Sequence, residues 1–440
     1  MKLVYGIKDK PKFGQTVLFA LQQLLAIMAA TIAVPSIVGN GMSQTAALFG
    51  AGVGTLVYLL FTKFKSPVFL GSSFAFLGSM FAAFGGAASV EIGYAGLIIG
   101  ALLAGLVYVI IALVVKAVGV KWIDKLMPAV VIGPTVAIIG LSLAGNAVGD
   151  LLGTSGAVDN GVSTYVCMIC GLVTLAVTML CSVFGKKMLK MIPFIIGILA
   201  GYAVAACFTL IGNATDNAAL QVINFGLFQN ITWVPDFTFL TAAKGLGGIT
   251  GSYIATVAVA YVPVAFVVFA EHIADHKNLS SIIESDLLTD PGLSRTLLGD
   301  GVGSIAGAFF GGCPNTTYGE SVGCVAISGN ASVVTILTTA ILAIASAFIA
   351  PFTTLLATIP SCVMGGVCIA LYGFIAVSGL KMIQKVDLND NRNLFVVSVI
   401  LIAGVGGLTV SFGKVNLTTV ACALILGILT NIILSGKKKD

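Results

Sequence analysis

Two carboxylic acids and both of the chain's histidines stand together in Glu271-His272-Ile273-Ala274-Asp275-His276. They close the stretch 255–270, which carries no charged side chain. Ionisable groups at the end of an apolar span are expensive to bury in lipid, so they mark a substrate or ion path. On a helix, Glu271 and Asp275 share one face, and His272 and His276 share a neighbouring one. An ionised carboxylate accepts hydrogen bonds from ligand N–H groups, and a protonated one donates. Burial favours the protonated form, which suits a group that must load and release a proton. Glu271 is therefore the first candidate for both tasks. Asp275 and His276 are further candidates for the proton path; the sequence equally allows them a place in an aqueous loop after the span. His272 reads as structural.

A further acid, Glu320, ends the run Cys313-Pro314-Asn315-Thr316-Thr317-Tyr318-Gly319-Glu320. Its short polar side chains, with a glycine that permits close backbone approach, suit an irregular segment beside a ligand. Two acids on separate elements could clamp a planar ligand that alternates N–H and C=O groups. Asn315, Thr316 and Thr317 are expected to stabilise the backbone there. In Gly71-Ser72-Ser73-Phe74-Ala75-Phe76, Phe74 follows a turn of small residues; it either stacks on a flat ring or packs ordinarily. Asp300 is assigned a structural or gating role. No phosphate-binding loop, nucleophile elbow or zinc spacing is present, so neither an enzyme nor a cofactor or metal is expected. Cys167 and Cys170 lie in an apolar run and read as packing residues.

These groups need a membrane scaffold. The 440 residues are 58% hydrophobic and 9% charged, with a mean hydropathy of +1.09, whereas a soluble protein carries roughly 25% charge. Lysines before a long first apolar run do not fit a cleavable signal peptide. At about 20 apolar residues per span, fourteen segments emerge: 15–38, 45–62, 67–86, 92–115, 126–146, 163–183, 191–212, 250–272, 296–312, 314–328, 331–351, 355–379, 394–411 and 416–435. With both termini inside, every Lys and Arg except Lys244 and Lys414 falls on the inner side, the positive-inside pattern. The net charge of +5 thus reports topology, and a nucleic-acid partner is not implied. The outer stretch 213–249, with Trp233, Pro235, Phe237 and Phe239, is expected to lie partly in the interface. The inner stretch 273–295 and the run from Lys385 to Arg392 are expected to be polar loops.

Fourteen spans divide into seven and seven, and an odd number per half inverts the second half. The two segments that read poorly as helices, 67–86 and 314–328, are then the third span of each half. Interrupted spans at matching positions point to a binding site near the midplane, where irregular backbone is tolerated because it lines a cavity.

The runs Ala270-Glu271-His272-Ile273, Asp286 to Leu293, Pro314 to Glu320, Gly71 to Phe76, and Gly365-Gly366-Val367 with Leu371-Tyr372-Gly373 resemble those of bacterial uracil permeases, in the nucleobase–ascorbate transporter (nucleobase:cation symporter) family. The resemblance covers essentially the whole chain. It implies an all-α membrane protein of fourteen spans in two inverted repeats, with short antiparallel strands in spans 3 and 10. It also implies a core domain (residues 1–125 and 250–354) moving against a gate domain (126–249 and 355–440). Glu271 and Glu320 resemble the family's substrate-binding glutamates; Phe74, Tyr318 and Gly319 resemble pocket residues, and Tyr372 a gate-side aromatic. The implied activity is proton-coupled uracil import across the cytoplasmic membrane, with a homodimer as a family-level expectation. Two positions depart from the uracil pattern. Asp275 stands where uracil permeases often have His, an acid being commoner in xanthine and urate members, and Gln23 stands where some have His. Glu320-Ser321, in place of the purine members' Gln-Asn, favours uracil. A xanthine or urate permease is the alternative; an anion transporter is disfavoured because no Lys or Arg falls mid-span.

Overall fold

A computed structural model describes residues 3–119, 128–154, 161–186, 189, 192–229, 231, 233–412 and 415–435. Lys2, Lys121, Lys125, Lys187, Lys190, Lys414, Lys437, Lys438 and Lys439, used above to orient the chain, lie outside the described residues.

Apolar runs become helices where their ends can be capped. Helix α1 (Phe13–Val38) stops at Gly39, at φ 69°. α2 (Gln44–Phe61) starts where the Ser43 hydroxyl accepts from the amide of Ala46, satisfying one of the orphan donors of a helix start. Then come strand β1 (Leu70–Ser72), α3 (Leu77–Gly85) and α4 (Val90–Val118). The next helices are α5 (Ala129–Ser142), α6 (Ala144–Leu151), α7 (Thr164–Phe184), α8 (Pro193–Thr215) and α9 (Thr238–Gly245). The second half follows with α10 (Gly251–Ile283), α11 (Leu293–Gly311), β2 (Asn315–Thr317), α12 (Gly319–Ser328), α13 (Val333–Ser346) and α14 (Ala350–Ala357). It ends with α15 (Ser361–Ile383), α16 (Asn391–Val405), the strands β3 (Val410–Phe412) and β4 (Val415–Leu417), and α17 (Thr419–Leu434).

Among the described residues, eight helices are long and apolar enough to cross a membrane, with α5 and α6 counted as one. Helices α13 and α14, bent by 82° at their junction, pass the same test only when taken together as one broken span. The chain is a multi-pass membrane protein.

Two groups of helices pack tightly within themselves. In one, α11 lies against α2 and α4, α13 against α1 and α2, and α10 against α4. In the other, α15 lies against α5, α6 and α7, α7 against α8, and α16 against α5 and α17. Helix α11 carries Asp300 and many glycines on its buried face, where they are enclosed by its neighbours, while Arg295 is exposed. A Cβ on Gly50 of α2 would sit 2.5 Å from the carbonyl oxygen of Gly307, and one on Gly307 would sit 2.1 Å from the Asn315 amide. Small residues let these backbones touch, as lipid-embedded packing requires.

Several segment boundaries shift. The eighth span does not stop at 272; α10 continues to Ile283, a length of about 50 Å at 1.5 Å per residue. It continues because His272, His276, Leu279 and Ile283 keep one buried face at helical spacing. The first part of 273–295 is therefore helix, and Asp275 and His276 are not in a loop. Residues 355–357 belong to α14, and the next long helix begins only at Ser361. The expected helix 394–411 ends at Val405, where Gly406 and Gly407 (φ 69°) break it, and β3 pairs antiparallel with β4. In the stretch 213–249, Trp233 is exposed, but Phe237 and Phe239 pack on protein: Phe237 is edge-on to Phe49, and Phe239 is stacked on Phe309 at 4.8 Å.

Candidate functional site

The two irregular spans meet. β1 and β2 pair antiparallel in the register Leu70 to Thr317, Gly71 to Thr316 and Ser72 to Asn315. The ladder is extended by Ser73 N–H to the Pro314 carbonyl (2.9 Å) and Tyr318 N–H to the Phe69 carbonyl (3.2 Å). All six strand residues are buried. Their backbone groups find partners in each other, which is what non-helical backbone at membrane depth needs. The Tyr318 hydroxyl donates to the Ser72 carbonyl at 2.7 Å, laying the ring across β1. Position 71 must be glycine for this, because a Cβ there would lie 2.3 Å from the ring.

Each strand runs on into a helix, β1 towards α3 and β2 into α12, and their beginnings border a cavity of about 370 Å³. Glu271 and Asp275 enter it from one face of α10, and Glu320 from the first turn of α12. Phe74, Tyr318 and Gly319 also line it; a Cβ on Gly319 would meet nothing within 4 Å, so the backbone there is open to the cavity. The facing wall comes from the other helix group: Val136 and Ile139 of α5, Phe194 of α8, and Leu371, Phe374, Ile375, Ser378 and Met382 of α15. Among the described lining residues there is no Lys or Arg. Three carboxyl groups without a cation, in a largely apolar enclosure, suit the exchange of protons and the binding of N–H groups.

Hydrogen bonds set these acids in place. Thr317 Oγ1 donates to Asp275 Oδ2 at 2.9 Å. Next to Glu320, Ser321 Oγ accepts from Gln23 Nε2 at 2.5 Å and from the Phe69 amide at 2.9 Å, joining α1, the approach to β1, and α12. Asn315 Nδ2 donates to the Gly50 carbonyl at 3.0 Å.

Of the residues singled out in the sequence, Glu271, Asp275, Glu320, Phe74, Tyr318 and Gly319 surround the cavity. Tyr372 does not line it; its ring stands edge-on behind Phe74, centroids 5.8 Å apart. His276 also faces away, with Nε2 2.7 Å from the Tyr58 hydroxyl. His272 is buried against Asp300 and Thr296. Thr317, expected only to support the backbone, both lines the cavity and holds Asp275. The facing wall escaped the sequence reading. Its one signal was Leu371, Ile375, Ser378 and Met382 at helical spacing with a single hydroxyl, a pattern also produced by ordinary packing.

A second cavity of about 420 Å³ lies beyond Phe74, Ala75 and Ile139, which border both. Asn146, Thr256, Thr409, Thr418 and Thr419 give it a polar lining.

Residues 14–413 match the model of the permease family. The chain is 40% identical to the uracil permease of Bacillus caldolyticus over 99% of its length and 96% of that protein's. It is 38% identical to the uracil permease of Bacillus subtilis (strain 168), covering 100% of this chain and 97% of the relative. It is 36% identical to that of Escherichia coli (strain K12), covering 96% and 92%. Among solved structures, the transmembrane domain of the cyanobacterium bicarbonate transporter BicA matches with TM-score 0.67 at 18% identity, over 96% of this chain and 99% of that one. Murine Solute Carrier 26 family member A9, an anion transporter, matches with TM-score 0.66 at 13% identity, over 97% and 69%. At such identities the likeness concerns the fold alone, a helical membrane fold of two inverted repeats.

Proposed function

The chain belongs to the permease family, and from that premise we propose that it is a proton-coupled uracil importer of the cytoplasmic membrane. Its termini lie on the cytoplasmic side in this reading. The observation that carries it is the placement of Glu271 and Glu320 on one cavity, where two interrupted spans meet. Protonated Glu271 donates to a ligand carbonyl, and Glu320 accepts a ring N–H. Phe74 and the Tyr318 ring bound the flat faces, and the open backbone at Gly319 offers an amide. Relatives that carry the name uracil permease along their full length support the pyrimidine.

The coupled proton resides on Glu271 and Asp275, which share one helix face and one cavity. His276, turned towards Tyr58, belongs with the groups behind the cavity. Access alternates as the α1–α4 and α10–α14 group, which carries the acids and both broken spans, moves against the α5–α8 and α15–α17 group. Phe74, Ala75 and Ile139, between the two cavities, are the barrier that this motion shifts. Tyr372 backs Phe74 on the gate side.

One feature favours a purine: Asp275 reaches the cavity, an acid at the position where xanthine and urate members carry one. Uptake of labelled uracil, competed by excess thymine or excess xanthine, separates the two. Competition by thymine alone supports the pyrimidine reading; competition by xanthine alone overturns it. An anion substrate is disfavoured by a cavity lined with acids and without Lys or Arg among the described residues.

A further inference from the structure

Behind the transport cavity lies a second group of buried titratable side chains. His272 Nδ1 is 2.7 Å from Asp300 Oδ2, and His272 Nε2 is 3.0 Å from Thr296 Oγ1. His272 and Asp300 are each 1% exposed, and Asp300 has His272 as its ion-pair partner.

Counting hydrogens assigns the protons. Thr296 Oγ1 donates to the Leu293 carbonyl at 3.0 Å. With its one hydrogen on that carbonyl, the hydroxyl accepts from His272, and Nε2 carries N–H. A neutral imidazole protonated there has a bare Nδ1. A bare nitrogen 2.7 Å from an ionised carboxylate oxygen would set lone pair against lone pair. A proton therefore lies between Nδ1 and Oδ2, on either partner. His276 Nδ1 donates to the His272 carbonyl at 2.8 Å, and its Nε2 lies 2.7 Å from the Tyr58 hydroxyl, which also donates to Ser66 Oγ at 2.7 Å; no carboxylate is among these partners. The rings of Tyr108 and His276 flank His272, edge-on at 6.4 Å and stacked at 4.0 Å.

Three buried oxygens beside this pair have no protein partner: Asp300 Oδ1, Asn315 Oδ1 and the Tyr108 hydroxyl. All three residues line one internal cavity of about 10 Å³, the size that holds one water. Two of the oxygens accept and the hydroxyl can donate, which are the three bonds a buried water commonly makes.

We propose that His272 and Asp300 form a proton-holding pair, separate from the cavity acids, and that one water joined to Asp300, Tyr108 and Asn315 completes it. Asn315 and Thr316 of β2 border this cell on one side, while Thr316 and Thr317 border the transport cavity on the other. The unit thus seats the strand that carries Thr317 towards Asp275. It does not depend on which solute the transport cavity takes.

The chain has two histidines, so nitrogen NMR of ¹⁵N-histidine-labelled protein in bilayers can resolve the pair, with His276→Gln as the assignment variant. The expected result is an N–H at His272 Nε2 and a strongly hydrogen-bonded Nδ1, both unchanged from about pH 5 to 8, the range where a free imidazole titrates. A bare Nε2, or titration within that window, overturns the shared proton. Asp300→Asn keeps a donor towards Nδ1 and should retain the Nε2–H signal with a non-titrating ring. For the water, Tyr108→Phe should lower the melting temperature, since it strips one of three bonds from the bound molecule. An unchanged or raised value means a dry cavity and overturns that half. Sodium chloride and choline chloride at equal strength should give the same melting temperature; a sodium-specific rise that Asp300→Asn abolishes would make the occupant a cation instead.

Discussion

Thr317 donates a hydrogen bond from Oγ1 to Asp275 Oδ2 at 2.9 Å, tying strand β2 to the acid one turn beyond Glu271 on α10. The strand that leads to Glu320 therefore also fixes the acid that departs from the uracil pattern. Thr317→Val keeps the shape and removes the donor. A hydrogen bond of this kind contributes about 0.5–1.5 kcal/mol. The variant should melt earlier, and the pH dependence of its uptake should shift relative to the parent. A pH profile that superimposes on the parent's would separate Asp275 from coupling.

Glu271→Gln and Glu320→Ala should each abolish uptake of labelled uracil. Both acids face a cavity rather than a packed core, so the variants should remain folded, as thermal melting of the purified proteins would show. Normal uptake in both would remove the site from this cavity.

Proton coupling sets the sign of the pH effect. Import that moves a proton inward with each substrate should be faster at acidic external pH and should collapse with a protonophore. Uptake indifferent to both treatments would mean that Glu271 and Asp275 bind the substrate without coupling it.

Gly71→Ala should be disproportionately harmful for one methyl group. The added carbon would lie 2.3 Å from the Tyr318 ring, and overpacking of this kind costs about 1–3 kcal/mol. The melting temperature and substrate affinity should fall together, because the displaced ring borders the site. Gly78→Ala, where a Cβ meets nothing within 4 Å, is the control and should melt like the parent.

Gln23→Leu should loosen the junction beside Glu320. Ser321 Oγ would lose one of its two donors, leaving the Phe69 amide as its partner there. Substrate affinity should weaken while the protein remains folded, since α1 retains its apolar contacts. Undiminished affinity in a binding titration would make the Gln23 contact purely architectural.

Composition and apolar run length determined the membrane class, because no water-facing surface can be built with so few charges. The glycine- and threonine-rich interruptions determined where the helices break, since such residues neither fill a lipid-facing helix nor hold one together. The acids Glu271 and Glu320 were legible for the same reason: a carboxyl group in an apolar setting is costly unless used. Tertiary structure alone decided the rest. Whether Asp275 sat in a loop or on the helix depended on a buried face running through His272, His276, Leu279 and Ile283. That β1 and β2 pair residue for residue rested on backbone contacts about 245 positions apart, which no local pattern encodes. The apolar wall of Val136, Phe194 and Ile375 looked like ordinary packing until another helix group left a gap against it. The opposed roles of the two histidines followed only from their neighbours. His272 faces an acid and a hydroxyl, whereas His276 faces a carbonyl and a phenol; the partners brought together by the fold, not residue type, set what each ring can do.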